Sequence, residues 1–216
     1  MTRQEHSLAK MTGVWLLPVV TLIVASSSGG NMAAAIKPHN TTLAFLSGAF
    51  AITMVIMGLT IAGMIITVYL LRLIVYGPPE PALVLSAFLP LGPLGQGGYS
   101  LLVAGADLSI LFGGREGNQF PNLSITGDSL QIVLFCGAFV LWSMGVAWIL
   151  IAFMTIFEVA RKNKLPFGMA YWGLIFPHGV FAMLSVQLGS VLNSMFFKIF
   201  GALWCGKCDV VSVRNS

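Results

Sequence analysis

The residues that most constrain this chain are 168–189, an apolar run without any formal charge. At a rise of about 1.5 Å per residue, a helix of about 20 residues matches the ~30 Å hydrocarbon core of a bilayer. Pro177 lies in the middle of the run, where proline removes a backbone hydrogen bond and bends a helix. In lipid, the freed carbonyl needs a partner from a neighbouring helix, a side chain or a wet cavity. With the Phe176 ring beside this break, the run is typical of one wall of a membrane pathway, and a kinked packing helix is the alternative.

The composition places the whole chain in the membrane class. Hydrophobic residues make up 57% of its 216 residues and charged residues 8%, whereas a soluble domain has about 25% charged residues. The mean hydropathy is +0.90. The net charge of +4 comes from singly scattered basic residues, which argues against a nucleic-acid partner. We therefore predict an integral membrane protein of the all-α class, a polytopic helical bundle whose partner is the lipid bilayer.

Hydropathy and turn residues divide the chain into about five spanning helices, each near the length that a bilayer requires. We predict a single transmembrane domain over residues 1–216, with spans near 13–36, 43–71, 82–106, 129–157 and 168–189 and a partial span at 193–204.

Interruptions are predicted in the first, third and fifth spans, while the second and fourth contain no proline. The first span is expected to break at its serine and glycine run, the third at residues 90–98, and the fifth at its proline. Kinked helices beside straight ones suggest an inner set around an axis and an outer set. The candidate pore-lining or hinge residues in the three breaks are Ser26, Ser27, Ser28, Pro93, Gly95, Gln96, Pro177 and His178.

The basic residues indicate one orientation, because cytoplasmic loops carry an excess of lysine and arginine. With this number of crossings, the N-terminus and the loops at 72–81 and 158–167 share one side, which we predict to be cytoplasmic. The two glycosylation sequons, at Asn40 and Asn122, then lie on the outer side, as glycosylation requires. The basic residues on the cytoplasmic side are Arg3, Lys10, Arg72, Arg161, Lys162 and Lys164.

No catalytic or metal-binding set is expected, so we predict a protein that is not an enzyme and takes no cofactor. The histidines His6, His39 and His178 are far apart in the sequence, whereas metal ligands must converge. The carboxylates, among them Asp107, are expected at span ends or in loops, which argues against a proton-relay pump.

The predicted span interiors offer hydroxyls, an amide, glycines and broken helices. A broken helix presents free N–H groups and a positive dipole end, which attract anions without a fixed cation. Weak binding at several such places suits passage better than retention. We therefore predict transport of a small anion. The alternative for the serines and glycines is close helix packing, and the alternative for His178 is a hydrogen-bonded packing role.

Three segments resemble one transporter family in the same order. They are LPVVTLIVASSSGG at 17–30, LGPLGQGGYS at 91–100 and YWGLIFPHGVFAM at 171–183. Together they resemble the fungal sulfite efflux pumps. These belong with the malic-acid (C4-dicarboxylate) transporters, the bacterial tellurite-resistance channels and the plant slow anion channels.

The resemblance implies ten helices in five hairpins around a central pore, with kinked inner and straight outer helices. It also implies that a phenylalanine on the ninth helix closes the pore, and the matching residue here is Phe176. The serines at 26–28 and Gln96 would line or support the inner helices. Sulfite efflux across the plasma membrane is the implied activity, malate or another C4-dicarboxylate is the second substrate, and a homo-oligomer is the implied assembly.

The chain matches only the fifth to ninth helices of that family and the start of a tenth. Half of a pore ring leaves polar inner faces open to lipid, which is costly. The second hypothesis is therefore a non-conducting, truncated fragment that associates with full-length relatives.

Overall fold

The computed structural model describes Leu8, residues 11–113, 127–162 and 169–204, and Gly206. All regular secondary structure of these residues is helical, so the predicted all-α bundle is confirmed. Its α-helices are α1 (Leu17–Ile36), α2 (Thr41–Tyr76), α3 (Leu91–Gly113), α4 (Gly127–Lys162), α5 (Ile175–Val191) and α6 (Met195–Trp204).

Four helical stretches of the described residues are long and apolar enough to cross a membrane. Helix α3 is not among them, because its glycines, Gln96 and Asp107 lower its hydropathy, so a crossing by α3 stays a prediction. Helix α6 has 10 residues and is too short to span a ~30 Å core. The four stretches are Gly13–Ile36, Thr41–Tyr76, Gly127–Lys162 and Trp172–Val191.

The helices pack as antiparallel hairpins, α1 with α2, α3 with α4, and α5 with α6. In the first hairpin, the Ser26 hydroxyl of α1 donates a hydrogen bond to the Ala51 carbonyl of α2 at 2.7 Å. In the third, a Cβ placed on Gly201 of α6 would lie 3.0 Å from the Ala182 carbonyl oxygen of α5. Short connections between neighbours produce such hairpins in helical bundles.

Helices α1, α3 and α5 run in the same direction, with α3 between the other two. Val20 of α1 lies beside Gly92 at the start of α3, and farther along Gly30 of α1 lies beside Val103. Helix α3 also packs against α2, α4 and α5, which makes it the central helix. These parallel helices correspond to the predicted inner set, and the proline-free α2 and α4 to the outer set.

Each parallel helix has a proline in its first turn, and a 3-10 segment precedes each helix. A proline costs little there, because the N–H that it lacks would have no intrahelical partner. Since the helices are parallel, their prolines mark the same end of the bundle, which we name the proline end. Its prolines are Pro18, Pro93 and Pro177, and its 3-10 segments are Gly13–Leu16, Val84–Phe88 and Met169–Leu174.

The structure corrects the predicted breaks. Helix α1 is continuous through its serines, so the interruption predicted there is wrong: the hydroxyls of Ser27 and Ser28 donate to the Val24 carbonyl at 2.9 and 3.2 Å. The glycine run of α3 is also helical, and the chain departs from the α-helix before Leu91. In the fifth span the change from 3-10 to α geometry comes before Pro177. Proline therefore begins these helices instead of breaking them at mid-span.

Two predicted boundaries also move. Helix α2 continues past Arg72, whose side chain is 6% exposed and donates from Nη1 to the Gly77 carbonyl at 2.7 Å. Helix α3 continues past Asp107 to Gly113, so the loop that we expected from Asp107 begins later. Residues 114–126 of that loop lie outside the described residues.

Candidate functional site

Phe176 lies in the first turn of α5, at the proline end, and is 42% exposed. Its ring covers Gly92 in the first turn of α3. A Cβ on residue 92 would lie 3.4 Å from Phe176 Cε1 and 3.9 Å from Cγ2 of Val20 in α1. The ring therefore lies where the three parallel helices begin, packed on one side and exposed on the other.

The proline end also collects the N-termini of α1, α3 and α5. The first four N–H groups of an α-helix have no carbonyl partner within the helix, and its dipole is equivalent to roughly half a positive charge there. The preceding 3-10 segments use some of these donors; the Gly92 N–H, for example, donates to the Leu89 carbonyl at 2.9 Å. The positive helix ends thus lie together at the proline end and not at mid-span.

A buried cluster of hydrogen-bonded side chains joins α1 to α3 farther along the two helices from the proline end. Gln96 Nε2 donates to Ser27 Oγ at 2.6 Å. Ser100 Oγ donates to the Gln96 carbonyl at 2.8 Å and lies 3.3 Å from the Ile23 carbonyl. All three polar side chains are buried. The structure therefore brings together two of the predicted site residues, Ser27 and Gln96, inside the α1–α3 interface.

The three predicted serines have three different environments. Ser26 is buried against α2, Ser27 is buried against α3, and Ser28 is exposed. Ser28 alone of the three lies on the open side of α1. Thr21, which was not among the predicted site residues, lies two turns earlier on that same exposed side and donates to the Pro18 carbonyl at 2.6 Å. Its distance of two helical turns from Ser28 would have indicated that the two residues share one face of the helix.

The Gln96–Ser27 hydrogen bond predicts a measurable coupling between α1 and α3. A double-mutant cycle of Gln96→Leu and Ser27→Ala is expected to give a coupling of about 0.5–1.5 kcal/mol, the range of interhelical hydrogen bonds in membranes. The measurement is reversible unfolding in mixed detergent micelles. The control cycle uses Ser26→Ala in place of Ser27→Ala. Because Ser26 bonds to α2, the stability losses of Ser26→Ala and Gln96→Leu should simply add. Equal coupling energies in both cycles would contradict a specific hydrogen bond between Gln96 and Ser27.

His178 is held by packing contacts on several sides. Its ring lies 4.8 Å from the Phe88 ring and is stacked on Trp204 at 5.5 Å. Nδ1 lies 2.7 Å from the Leu174 carbonyl, and since a carbonyl only accepts, Nδ1 carries the proton of this bond. The surroundings favour the packing interpretation of His178 over a substrate ligand.

The remaining predicted residues lie at helix contacts and helix ends. Gly95 faces the α5 backbone, where a Cβ would lie 2.8 Å from Phe181 N. Pro93 and Pro177 are fully buried in the first turns of their helices. Among the described residues, no three histidine, cysteine, aspartate or glutamate side chains are grouped as metal ligands would be.

The sequon at Asn40 lies at the opposite end of the bundle from the proline end. Asn40 is exposed and caps α2, its Oδ1 accepting from the Leu43 N–H at 3.0 Å. Asn122 lies outside the described residues. Glycosylation at either asparagine stays a prediction.

A family model described as SLAC1, voltage-dependent anion channel, matches residues 1–212 of the chain. The chain belongs to the SLAC1 family. The family resemblance that we drew from three sequence segments is therefore confirmed. As a SLAC1-family protein with helices apolar enough to span a bilayer, it is an integral membrane protein.

The similar curated proteins of this family are named as transporters. A sulfite efflux pump of Trichophyton rubrum is 32% identical over 94% of this chain and 52% of its own length. That of Candida albicans is 28% identical over 96% of this chain and 45% of its own. An uncharacterized transporter of Methanocaldococcus jannaschii is 26% identical over 87% and 46%. The chain thus spans about half the length of these relatives. No solved structure matches it significantly.

Proposed function

We propose that this chain forms one side of a transmembrane pathway for small anions, with sulfite as its principal substrate and the Phe176 ring as its gate. The observation that carries the proposal is the position of this ring. It lies over Gly92 where α1, α3 and α5 begin together, and its other side is exposed.

Electrostatics favours an anion at this place. Three parallel helices direct their positive ends to the proline end, and helix N-termini bind anions through backbone N–H groups. On the exposed side of α1, the hydroxyls of Thr21 and Ser28 donate to carbonyls of their own helix, so the attraction comes from the helix ends. Attraction by helix dipoles and backbone N–H groups is weaker than binding to a fixed cation, so an anion can leave as readily as it enters.

The choice of sulfite as substrate is supported by the relatives that are named as sulfite efflux pumps. Malate or another C4-dicarboxylate is the second candidate. The proline end is cytoplasmic in this proposal, because Arg72, Arg161 and Lys162 lie at that end and the positive-inside rule applies. The membrane is the plasma membrane, and copies of the chain assemble as a homo-oligomer.

The alternative belongs to a different class of function: a membrane protein that does not itself conduct anions. Phe176 and the side of α1 that carries Thr21 and Ser28 are exposed, so the described helices by themselves do not enclose a pathway, and this favours the alternative. In that case the chain binds a full-length relative and modifies its transport.

The test is sulfite entry into liposomes that contain the purified chain, followed by a sulfite-reactive dye trapped inside. We expect entry faster than in protein-free liposomes, saturation with sulfite, and little inhibition by malate at the same concentration as sulfite. Circular dichroism and protease protection establish that the protein is helical and inserted.

An inserted, helical chain without sulfite entry would contradict the transport proposal. Co-purification of that inactive chain with a full-length relative would then support the non-conducting alternative. Strong inhibition of sulfite entry by malate at the same concentration would contradict sulfite as the principal substrate but not the pathway.

A further inference from the structure

An apolar cavity of about 370 Å³ lies at the proline end, between the 3-10 segments and beside the Phe176 ring. Its size is within the range of small-molecule sites, which begins at about 300 Å³. It is partly open to the outside of the bundle. Its walls are formed by Val14, Leu17, Ala82, Leu83, Leu85, Ser86, Leu89, Gly173, Leu174 and Phe176.

The cavity wall excludes an anion as its occupant. Ser86 supplies the one polar side chain of this lining, and its Oγ is buried beside the Tyr69 hydroxyl. Among the described residues, therefore, no side-chain donor reaches the cavity to replace the hydration shell of sulfite or malate. Transfer of a charge into such a space would be costly, whereas a hydrocarbon chain carries no charge to desolvate and gains dispersion contacts with the apolar lining.

The surroundings of the cavity fit an amphiphile with an anionic head. Trp15 and Trp172 adjoin the lining residues and are 49% and 72% exposed, and exposed tryptophans mark the headgroup level of a bilayer. Arg161 and Lys162 lie exposed at this same end, where basic residues attract anionic headgroups. The end of the bundle at which the cavity opens thus lies at an interfacial depth and carries positive charge, although Lys162 also pairs with Glu158 at 2.9 Å.

We infer that the cavity binds one hydrocarbon chain of an anionic amphiphile, which packs behind the Phe176 ring. The ring then has Gly92 and Val20 on one side and the hydrocarbon chain on the other. Binding to the cavity stands on its geometry alone. Its effect on the gate rests on the function proposed above, because an empty cavity would give the ring a space into which to turn.

Photolabelling tests the site without any measurement of transport. The chain in nanodiscs is exposed to a phosphatidylglycerol that carries a diazirine in one acyl chain, and separately to a diazirine fatty acid. Labelled peptides are then mapped by mass spectrometry. We expect the label to concentrate on residues 82–89 and 173–176. Labelling by the phospholipid identifies a bilayer lipid as the source, and labelling by the fatty acid alone identifies a free amphiphile.

Ala82→Trp is the variant that fills the cavity, and it removes no core side chain because Ala82 is exposed. The indole would occupy the space in which the hydrocarbon chain lies, so labelling of 82–89 and 173–176 should fall to the level found on the outer faces of α2 and α4. Ala147→Trp is the matched control on the exposed side of α4 and should leave labelling unchanged. Ala82→Leu gives a milder filling if the tryptophan variant does not fold.

Even labelling along α2 and α4, or labelling that neither Ala82 variant lowers, would overturn the inference. Sulfite entry could be absent from every variant while labelling of the site still falls in Ala82→Trp. That result would support binding to the cavity and contradict the proposed transport. The two failures are therefore distinguishable.

Discussion

Phe176→Ala is expected to raise sulfite entry into proteoliposomes by about tenfold or more, which corresponds to ~1.4 kcal/mol in the opening equilibrium. The ring is 42% exposed, so its removal creates little cavity in the protein core. It does remove the group that covers Gly92 at the convergence of the three parallel helices. The measurement compares initial rates at equal amounts of inserted protein.

The control for this variant is Phe50→Ala in α2. Phe50 is 65% exposed, so its truncation removes the same side chain from an outer helix surface. Entry should stay at the rate of the unchanged protein. Equal rates for Phe176→Ala and the unchanged protein, or the same increase in Phe50→Ala, would contradict the role of the ring as gate.

Gly95→Ala is expected to lower the stability of the bundle by about 1–3 kcal/mol, the usual cost of overpacking. The added Cβ would lie 2.8 and 2.9 Å from N and Cα of Phe181 and 3.0 Å from the Val180 carbonyl carbon. These are backbone atoms, so no side-chain rotation relieves the contact and α3 and α5 must separate. Unfolding in mixed detergent micelles measures the change.

The matched control is Gly63→Ala in α2, where nothing lies within 4 Å of the added Cβ. Alanine has the higher helix propensity, so this variant should be more stable by roughly 0.5–1 kcal/mol. A loss of stability in both variants would show that glycine itself matters in these helices. No loss in Gly95→Ala would contradict the close approach of α3 and α5.

The sequence was sufficient for the membrane class, the helical bundle and the distinction between two sets of helices. Low charge and long apolar runs determine the first two, because they leave few alternatives in a bilayer. The alternation of prolines separated α1, α3 and α5 from α2 and α4, and the structure assembles the first three as a parallel set. The family followed from three short segments that keep the order of the relatives.

The internal breaks could not be predicted correctly, because serine, glycine and proline have more than one role in a membrane helix. Ser27 and Ser28 satisfy their hydroxyls on the Val24 carbonyl without interrupting α1. Gly95 allows α3 to pack closely against α5, which is another role of small residues in membrane helices. The choice between these roles depends on neighbours that are distant in sequence, such as Phe181.

The contact of Phe176 with Gly92 was likewise beyond sequence reasoning. The motif identified the phenylalanine by resemblance, yet the glycine beneath it lies in another helix. Their proximity depends on how α3 and α5 are aligned along their axes. No local pattern in either segment specifies that alignment.

The central position of α3 has a consequence for how the protein is made. This helix is less apolar than its neighbours, and residues 91–98 are buried on every side by the rest of the chain. Such a segment partitions poorly into lipid alone, so the other helices supply the environment that the bilayer does not. We expect α3 to enter the membrane together with α4, as one inserted hairpin, and only beside α1 and α2 already in place.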